Sequence, residues 1–223
     1  MKTALLTLLA FLTATSFAEA ADKSAVQCHC FRQRTYNSVQ PFSGDPYLLT
    51  SSYNSFLASM FKVSKRDIVM KKMKGGVGGD DLLIGLFLAR ELGTELDLLL
   101  AIIDNGGSWP EILASETGRQ KIAEAPNLAA IAKYKSTDEL ASEISSQLIS
   151  QSFELDKNDV SSLKGKGLNL KEIVLLNTMA RLRPKYSSQD LLQVKNDKQM
   201  SWGQLASTVG LAAEKTGQFL LEE

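Results

Sequence analysis

Residues 80–92 read DDLLIGLFLAREL, and this stretch indicates the fold class of the chain. Its apolar side chains occur all around a helical axis rather than along one stripe, which is typical of a helix buried on every side. Two aspartates open the stretch, where the helix dipole favours negative charge, and Gly93 follows it as a stop signal. The stretch LKEIVLLNTMARL at 170–182 has the same character. We therefore predict two central helices and an all-α fold.

The two central stretches belong to an internal repeat. Residues 61–118 align with residues 153–210, at an offset that drifts between 91 and 93 residues. Trp109 and Trp202, the two tryptophans of the chain, take equivalent places in the alignment. Self-similarity over such a length is typical of helical-repeat architectures. The alignment predicts two tandem multi-helix repeat units.

The repeat divides the chain into segments. No sustained alternation of β-branched residues indicates strands, and helix start and stop signals recur instead. A further helix is predicted ahead of each repeat, near residues 48–60 and 136–151. The predicted organisation is a signal peptide at 1–20, an irregular arm at 21–47, a first helical unit at 48–118, a linker at 119–135 that Pro126 interrupts, and a second helical unit at 136–223 with a C-terminal helix at about 212–221.

The first 20 residues, MKTALLTLLAFLTATSFAEA, have the features of a secretory signal. Lys2 supplies a positive start, the apolar run at 4–12 is too short to span a bilayer, and Ala18-Glu19-Ala20 has the small-x-small form of a cleavage site. We expect cleavage and export to the periplasm or the extracellular space; the alternative is a retained N-terminal anchor. The most apolar later stretch, 82–103, contains four charged residues, so no membrane span is predicted in the mature chain.

The charge balance argues against one class of partner. Lysine and arginine together number 25, aspartate and glutamate together number 25, and the formal net charge is zero. A chain without an excess of basic residues lacks the long-range attraction that nucleic-acid binding needs. We therefore predict no nucleic-acid partner.

Cys28 and Cys30 are the only cysteines of the chain, and His29 between them is the only histidine. In an exported protein thiols are usually oxidised, so the first interpretation is a disulfide, within the chain or linking two chains as a dimer. The strain of so small a ring makes a redox-active or metal-binding pair the alternative, with a soft ion such as Cu(I). An inert, reduced pair is the third interpretation. No other cofactor is predicted.

A single histidine also bears on catalysis. A nucleophilic triad would have to use His29, which sits in the irregular arm rather than in a buried site, and a multi-histidine metal site is excluded. No catalytic residue is predicted, and the protein is interpreted as a non-enzymatic one.

A basic run between residues 62 and 74 is the strongest local charge bias of the chain. Only one acid, Asp67, lies within it, and the second repeat does not preserve it. We interpret the run as a docking face for an acidic partner or an anionic surface; the alternative is a solvated helix face. Its bases are Lys62, Lys65, Arg66, Lys71, Lys72 and Lys74.

The segment SWGQLASTVGL at 201–211 resembles a "gWgqiA…lGl" phrase of uncharacterised secreted bacterial proteins built of short helical repeats. The resemblance implies an exported helical module without an assigned activity. The phrase also resembles the first helix of a DNA-reading helix-turn-helix, but the predicted signal peptide and the charge balance argue against that function. Trp109 and Trp202 are interpreted as structural anchors, each packing a short helix on a central one and donating its indole N–H to a nearby carbonyl.

Two functional hypotheses follow from these features. The first is an exported, non-enzymatic helical-repeat module that binds a protein or a cell-envelope component. The second is a small redox or metal-handling protein that acts through Cys28 and Cys30.

Overall fold

The computed structural model describes residues 31–212, 215, 216 and 220 of the chain. The described residues form twelve α-helices and no strand, which confirms the all-α prediction. The helices are α1 (Asp45–Phe61), α2 (Lys65–Lys74), α3 (Gly79–Leu92), α4 (Leu96–Asp104), α5 (Trp109–Ala114), α6 (Glu116–Glu124), α7 (Pro126–Ile131), α8 (Thr137–Phe153), α9 (Lys157–Gly165), α10 (Leu170–Leu182), α11 (Ser188–Asp197) and α12 (Trp202–Thr208).

The two central helices are α3 and α10, as predicted. Every residue from 82 to 88 is buried in α3, and every residue from 173 to 179 is buried in α10. Gly85 lies in the middle of α3, where a Cβ atom would stand 2.8 Å from Leu96 Cδ1 and 3.3 Å from Trp109 Cη2. The missing side chain therefore allows α4 and α5 to pack closely on α3.

The first helix of each predicted unit packs mainly on the third helix of the other unit. α1 contacts α10 more extensively than it contacts α3, and α8 contacts α3 more extensively than it contacts α10. The rings of Phe56 in α1 and Phe153 in α8 stack across this boundary with centroids 6.0 Å apart. The two predicted units therefore interlock around one continuous hydrophobic core.

Several contacts of the first unit recur in the second. α1 and α8 each span 17 residues. The Arg90 guanidinium lies 5.2 Å from the centroid of the Phe61 ring, and the Arg181 guanidinium lies 5.0 Å from that of Phe153. These four residues align in the sequence repeat. The paired contacts support the repeat, while the tandem arrangement itself stays a prediction.

The segment predicted as a linker, 119–135, is mostly helical. α6 and α7 occupy most of it, and Pro126 begins α7 instead of ending a helix. Proline fits there because the first residue of a helix has no intrahelical partner for its N–H. Leu128 and Ile131 of α7 are fully buried, so the segment belongs to the core.

The ends of the chain differ from the prediction where they are described. α1 begins at Asp45, so the irregular arm ends at Gly44 rather than at 47. The predicted C-terminal helix at 212–221 lies partly outside the described residues, and Lys215 and Thr216, which are described, form a turn. The predicted signal peptide and the start of the arm lie outside the described residues. Within the described part of the chain, no helix combines the length and the hydropathy that crossing a membrane requires.

Candidate functional site

The structure places both tryptophans in equivalent buried positions. Trp109 is 1% exposed and Trp202 is 5% exposed. The Trp109 indole donates its N–H to Asp81 Oδ1 over 2.8 Å, and that of Trp202 donates to Glu172 Oε1 over 2.9 Å. The acceptor is in both cases a carboxylate in the first turn of a central helix, rather than the carbonyl that we predicted. These contacts hold the short helices α5 and α12 on α3 and α10.

The six bases of the predicted docking face do not share one exposed surface. Lys65 and Lys72 turn toward α1, where Lys65 Nζ donates to Ser51 Oγ over 2.7 Å and Lys72 Nζ donates to Asn54 Oδ1 over 2.9 Å. Burial lowers the pKa of both ammonium groups, and that of Lys72 falls to about 8. Lys71 forms an ion pair with Asp97 of α4.

The other three bases of that face, Lys62, Arg66 and Lys74, are exposed. The interpretation of the run as one docking face is therefore corrected. Three of its six bases, Lys65, Lys71 and Lys72, bind groups on the neighbouring helices α1 and α4, and the other three face solvent. A similar contact occurs in the second unit, where Lys164 Nζ of α9 donates to Ser146 Oγ of α8 over 2.7 Å. Burial also lowers the pKa of Lys164.

A polar layer that the sequence analysis missed lies where α1, α3, α8 and α10 meet. Tyr53 is buried and forms a side-chain hydrogen bond with Ser145 of α8. The Lys72 ammonium lies 5.7 Å from the centroid of the Tyr53 ring. Burial raises the pKa of Tyr53, while burial and the nearby ammonium of Lys171 lower the pKa of Lys72. The pKa of Asp80 is raised by partial burial of its carboxyl group and by other carboxylates.

Tyr53 contacts Ser145 of the second unit and Lys72 of the first, and Lys72 also donates to Asn54 of α1, so these contacts connect helices of both units. Tyr53, Asn54 and Ser145 are buried, whereas Lys72 is partly exposed and Asp80 is exposed. The hydrogen bonds of the buried members favour one arrangement of the helices, because a shift would leave buried donors and acceptors unpaired. The run SSYNS at 51–55, polar within an otherwise apolar helix, is the sequence signal for it.

A second missed contact joins the two ends of the described chain. Asp45 is 9% exposed and accepts the backbone N–H groups of Trp202 and Gly203, over 2.9 and 2.8 Å. It thus satisfies two of the free donors in the first turn of α12. Burial raises the pKa of the Asp45 carboxyl, and the two backbone hydrogen bonds oppose that shift.

An apolar groove of about 370 Å³ lies between α4 and the segment that carries α5 and the start of α6. Leu98 is 57% exposed and Ile102 is 39% exposed, and the two lie one turn apart on the same side of α4. We call this site the α4 groove. Its lining residues are Leu92, Thr94, Leu98, Leu99, Ile102, Glu111, Ile112, Ser115 and Thr117.

The composition of α4 contains a signal for this groove. Its sequence, LDLLLAIID, has seven apolar residues among nine. A short outer helix packs only one face on a core, so a helix this apolar leaves some of its large side chains in contact with solvent.

The corresponding surface of the second unit is different. Leu191, which aligns with Leu98, is 3% exposed. Lys195 aligns with Ile102, and its ammonium lies 4.7 Å from the centroid of the Trp202 ring. The exposed apolar pair is therefore specific to the first unit and is not a by-product of the repeat.

The predicted redox or metal residues Cys28, His29 and Cys30 lie outside the described residues. Within the described residues, no group of three or more histidine, cysteine, aspartate or glutamate side chains is arranged to hold a metal ion.

Comparison of the chain with models of known protein families, with curated proteins and with solved structures finds no match.

Proposed function

We propose that this protein is an exported, non-enzymatic binding module that holds a protein of the cell envelope in the α4 groove. The observation that carries the proposal is the pair Leu98 and Ile102, two large apolar side chains that stand exposed in a concave site. Exposed apolar surface in a groove with a polar rim is typical of interaction sites.

The gain from covering this pair is large enough to matter for affinity. Their exposed fractions, 57% and 39%, together amount to about one complete side chain. Burying one leucine or isoleucine side chain contributes about 1.5–3 kcal/mol. That free energy corresponds to roughly a 10- to 150-fold gain in affinity.

The ionisable groups with shifted pKa values support binding rather than catalysis. Tyr53, Lys72, Asp80 and Lys171 belong to the polar layer between the helices, and none of these four lines the α4 groove. The contacts of Tyr53 and Lys72 between helices give these two residues a role in the packing of the fold. The groove itself offers apolar contacts and a polar rim.

Export is the second part of the proposal, and it rests on the features of residues 1–20. A charged start, a short apolar run and an Ala-x-Ala site are typical of a cleaved secretory signal. A partner is then expected among the proteins of the envelope or its surroundings.

Photo-cross-linking in the producing cells tests the proposed function. A benzophenone amino acid replaces Thr117 inside the groove, and a matched variant carries it at Tyr186, which is 43% exposed and lies outside the groove. We expect a discrete cross-linked product for the Thr117 variant, its loss when Leu98→Asp is added, and no such product for the Tyr186 variant. Equal labelling from both positions, or none from Thr117, would contradict the proposal.

The same assay separates the two functional hypotheses. The Cys28→Ser, Cys30→Ser protein should give an unchanged cross-link if binding occurs through the α4 groove. If the double substitution abolishes the cross-link while the melting temperature stays the same, the cysteine pair carries the function and the groove does not.

A further inference from the structure

We infer that the α4 groove binds a cationic amphipathic helix, one whose apolar residues enter the groove while lysine or arginine residues flank them. This inference rests on the proposed function and adds the chemistry of the partner. It is carried by the charges that surround the exposed pair Leu98 and Ile102.

The segment from residue 93 to residue 117 forms the groove together with Leu92, and it contains no lysine, arginine or histidine. It contains five acidic residues, so its formal charge is −5; the acids are Glu95, Asp97, Asp104, Glu111 and Glu116. All five are exposed. A concave apolar site surrounded by one sign of charge attracts ligands of the opposite sign.

Two of these acids already have internal partners. Asp97 is paired with Lys71, and Glu111 Oε2 accepts the backbone N–H of Ser108 over 2.9 Å. The other three have positions that place them around the groove. Glu95 follows the lining residue Thr94, Glu116 lies between two lining residues, and Asp104 ends the helix that carries Leu98 and Ile102.

The bases that border this segment do not cancel its charge. Arg90 forms an ion pair with Glu91 over 2.8 Å, and its guanidinium lies against the Phe61 and Phe87 rings. Arg119, one turn into α6, is the first base after the segment. Counting Lys71, which pairs with Asp97, and Arg119 against the five acids of the segment still leaves a formal charge of −3 around the groove.

The second unit provides an internal comparison. The aligned segment, residues 186–210, has two acids and two bases and a formal charge of zero. That same segment has buried Leu191 where the first unit exposes Leu98. The exposed aliphatic pair and the excess negative charge thus occur together in one unit, whereas the aligned segment of the other unit has no net charge and its exposed large hydrophobic residue is Tyr186.

The geometry favours a helix as the ligand. Leu98 and Ile102 stand four residues apart on α4, which places them along one stripe of that helix. A stripe of this kind packs against apolar residues at positions i, i+3, i+4 and i+7 of a second helix, which is the usual mode of helix-in-groove recognition. A volume of about 370 Å³ suits a few apolar side chains rather than a large ligand.

Fluorescence anisotropy with three labelled peptides tests this inference. Each peptide has about 14 residues with leucines at helical spacing, and the outer positions carry lysine, glutamine or glutamate. We expect the lysine peptide to bind about tenfold more tightly than the glutamate peptide at low salt, with the glutamine peptide between them. At about 1 M salt the difference should fall below about twofold, because such salt screens surface charges beyond roughly 3 Å.

Two variants of the protein complete the test. Leu98→Asp should abolish binding of the lysine peptide or weaken it at least tenfold. The triple variant Glu95→Gln, Asp104→Asn, Glu116→Gln leaves the apolar residues in place and should bring the three affinities within about twofold of one another. A Tyr186→Asp variant is the control for an added surface charge and should bind like the parent protein.

The possible results separate this inference from the proposed function. Equal binding of all three peptides, lost in Leu98→Asp, overturns the inference about charge and leaves the apolar groove as a binding site. If no peptide binds while the Thr117 cross-link forms, the inference of a cationic helix is wrong and the proposed function stands. If both assays are negative, both proposals are wrong.

Discussion

Replacement of Asp45 by alanine should destabilise the protein strongly, although the residue lies at the very start of the first helix. Its carboxylate accepts two backbone N–H groups at the start of α12, from Trp202 and Gly203. Both donors belong to buried residues, so water cannot simply replace the carboxylate. Each buried donor that is left without a partner costs about 1–3 kcal/mol.

The net magnitude follows from two opposing effects. Loss of the carboxylate leaves two buried N–H groups without an acceptor, which costs about 2–6 kcal/mol in the free energy of unfolding. The desolvation that raises the pKa of Asp45 is relieved when the carboxylate is removed, which reduces the loss. We expect a net loss of about 3 kcal/mol in the free energy of unfolding, or roughly 6–12 °C in melting temperature for a domain of this size. Asp45→Asn keeps one acceptor oxygen and should lose about half as much.

Thermal denaturation followed by circular dichroism measures this effect. Asp159→Ala is the matched control, because Asp159 is an exposed acid in the first turn of α9. That control should melt within about 2 °C of the parent protein. If Asp45→Ala melts like the control, α12 does not depend on the Asp45 carboxylate and the reasoning is wrong.

Three further predictions concern other parts of the molecule. Trp109→Ala and Trp202→Ala should each lower the free energy of unfolding by about 3–5 kcal/mol, and melting curves like that of the parent protein for both would show that the indoles are not anchors. Burial lowers the pKa of Lys72 from its ordinary 10.5 to about 8 in the folded state, so the unfolded chain binds more protons between these two pH values. The free energy of unfolding should therefore rise by about 1–2 kcal/mol between pH 8 and 9.5 in urea titrations. This rise should be smaller in Lys72→Met, and an identical rise there would assign it to other groups. N-terminal sequencing of the exported protein should begin at or next to Ala21, and an intact Met1 in secreted protein would refute the signal interpretation.

Much of the helical structure can be predicted from the sequence because its causes are local. Ser64 accepts the N–H of Asp67 over 3.0 Å, and Ser108 forms a capping box with Glu111, as the spacing of these residues indicates. Such caps depend on residues three positions apart, so the sequence contains all the information that they need. The burial of α3 and α10 is equally local, because a helix that is apolar on every side has no polar face to turn to solvent.

The pairing of helices could not be predicted, because it depends on a choice between similar surfaces. α1 and α8 align with each other, as do α3 and α10, so each first helix has two similar partners. In the interlocked arrangement, Tyr53 of α1 and Ser145 of α8 form a side-chain hydrogen bond with each other. The spacing of apolar residues indicates that each of these helices buries a face, but it does not indicate which other helix that face packs against.

The basic run at 62–74 also has one property that the sequence predicts and one that depends on the fold. The bias of the basic run is evident in the sequence, but the direction of each side chain depends on the neighbouring helices. Lys65 and Lys72 therefore point to α1, and only Lys62, Arg66 and Lys74 remain exposed.

Composition and spacing are enough to establish the helical class, the central helices and the acidic character of residues 93–117. The exposure of Leu98 and Ile102 and the burial of the aligned Leu191 depend instead on how the helices pack in three dimensions. The physical reason is that burial is a property of the surroundings: two leucines in matching sequence positions differ only in what the rest of the folded chain places over them.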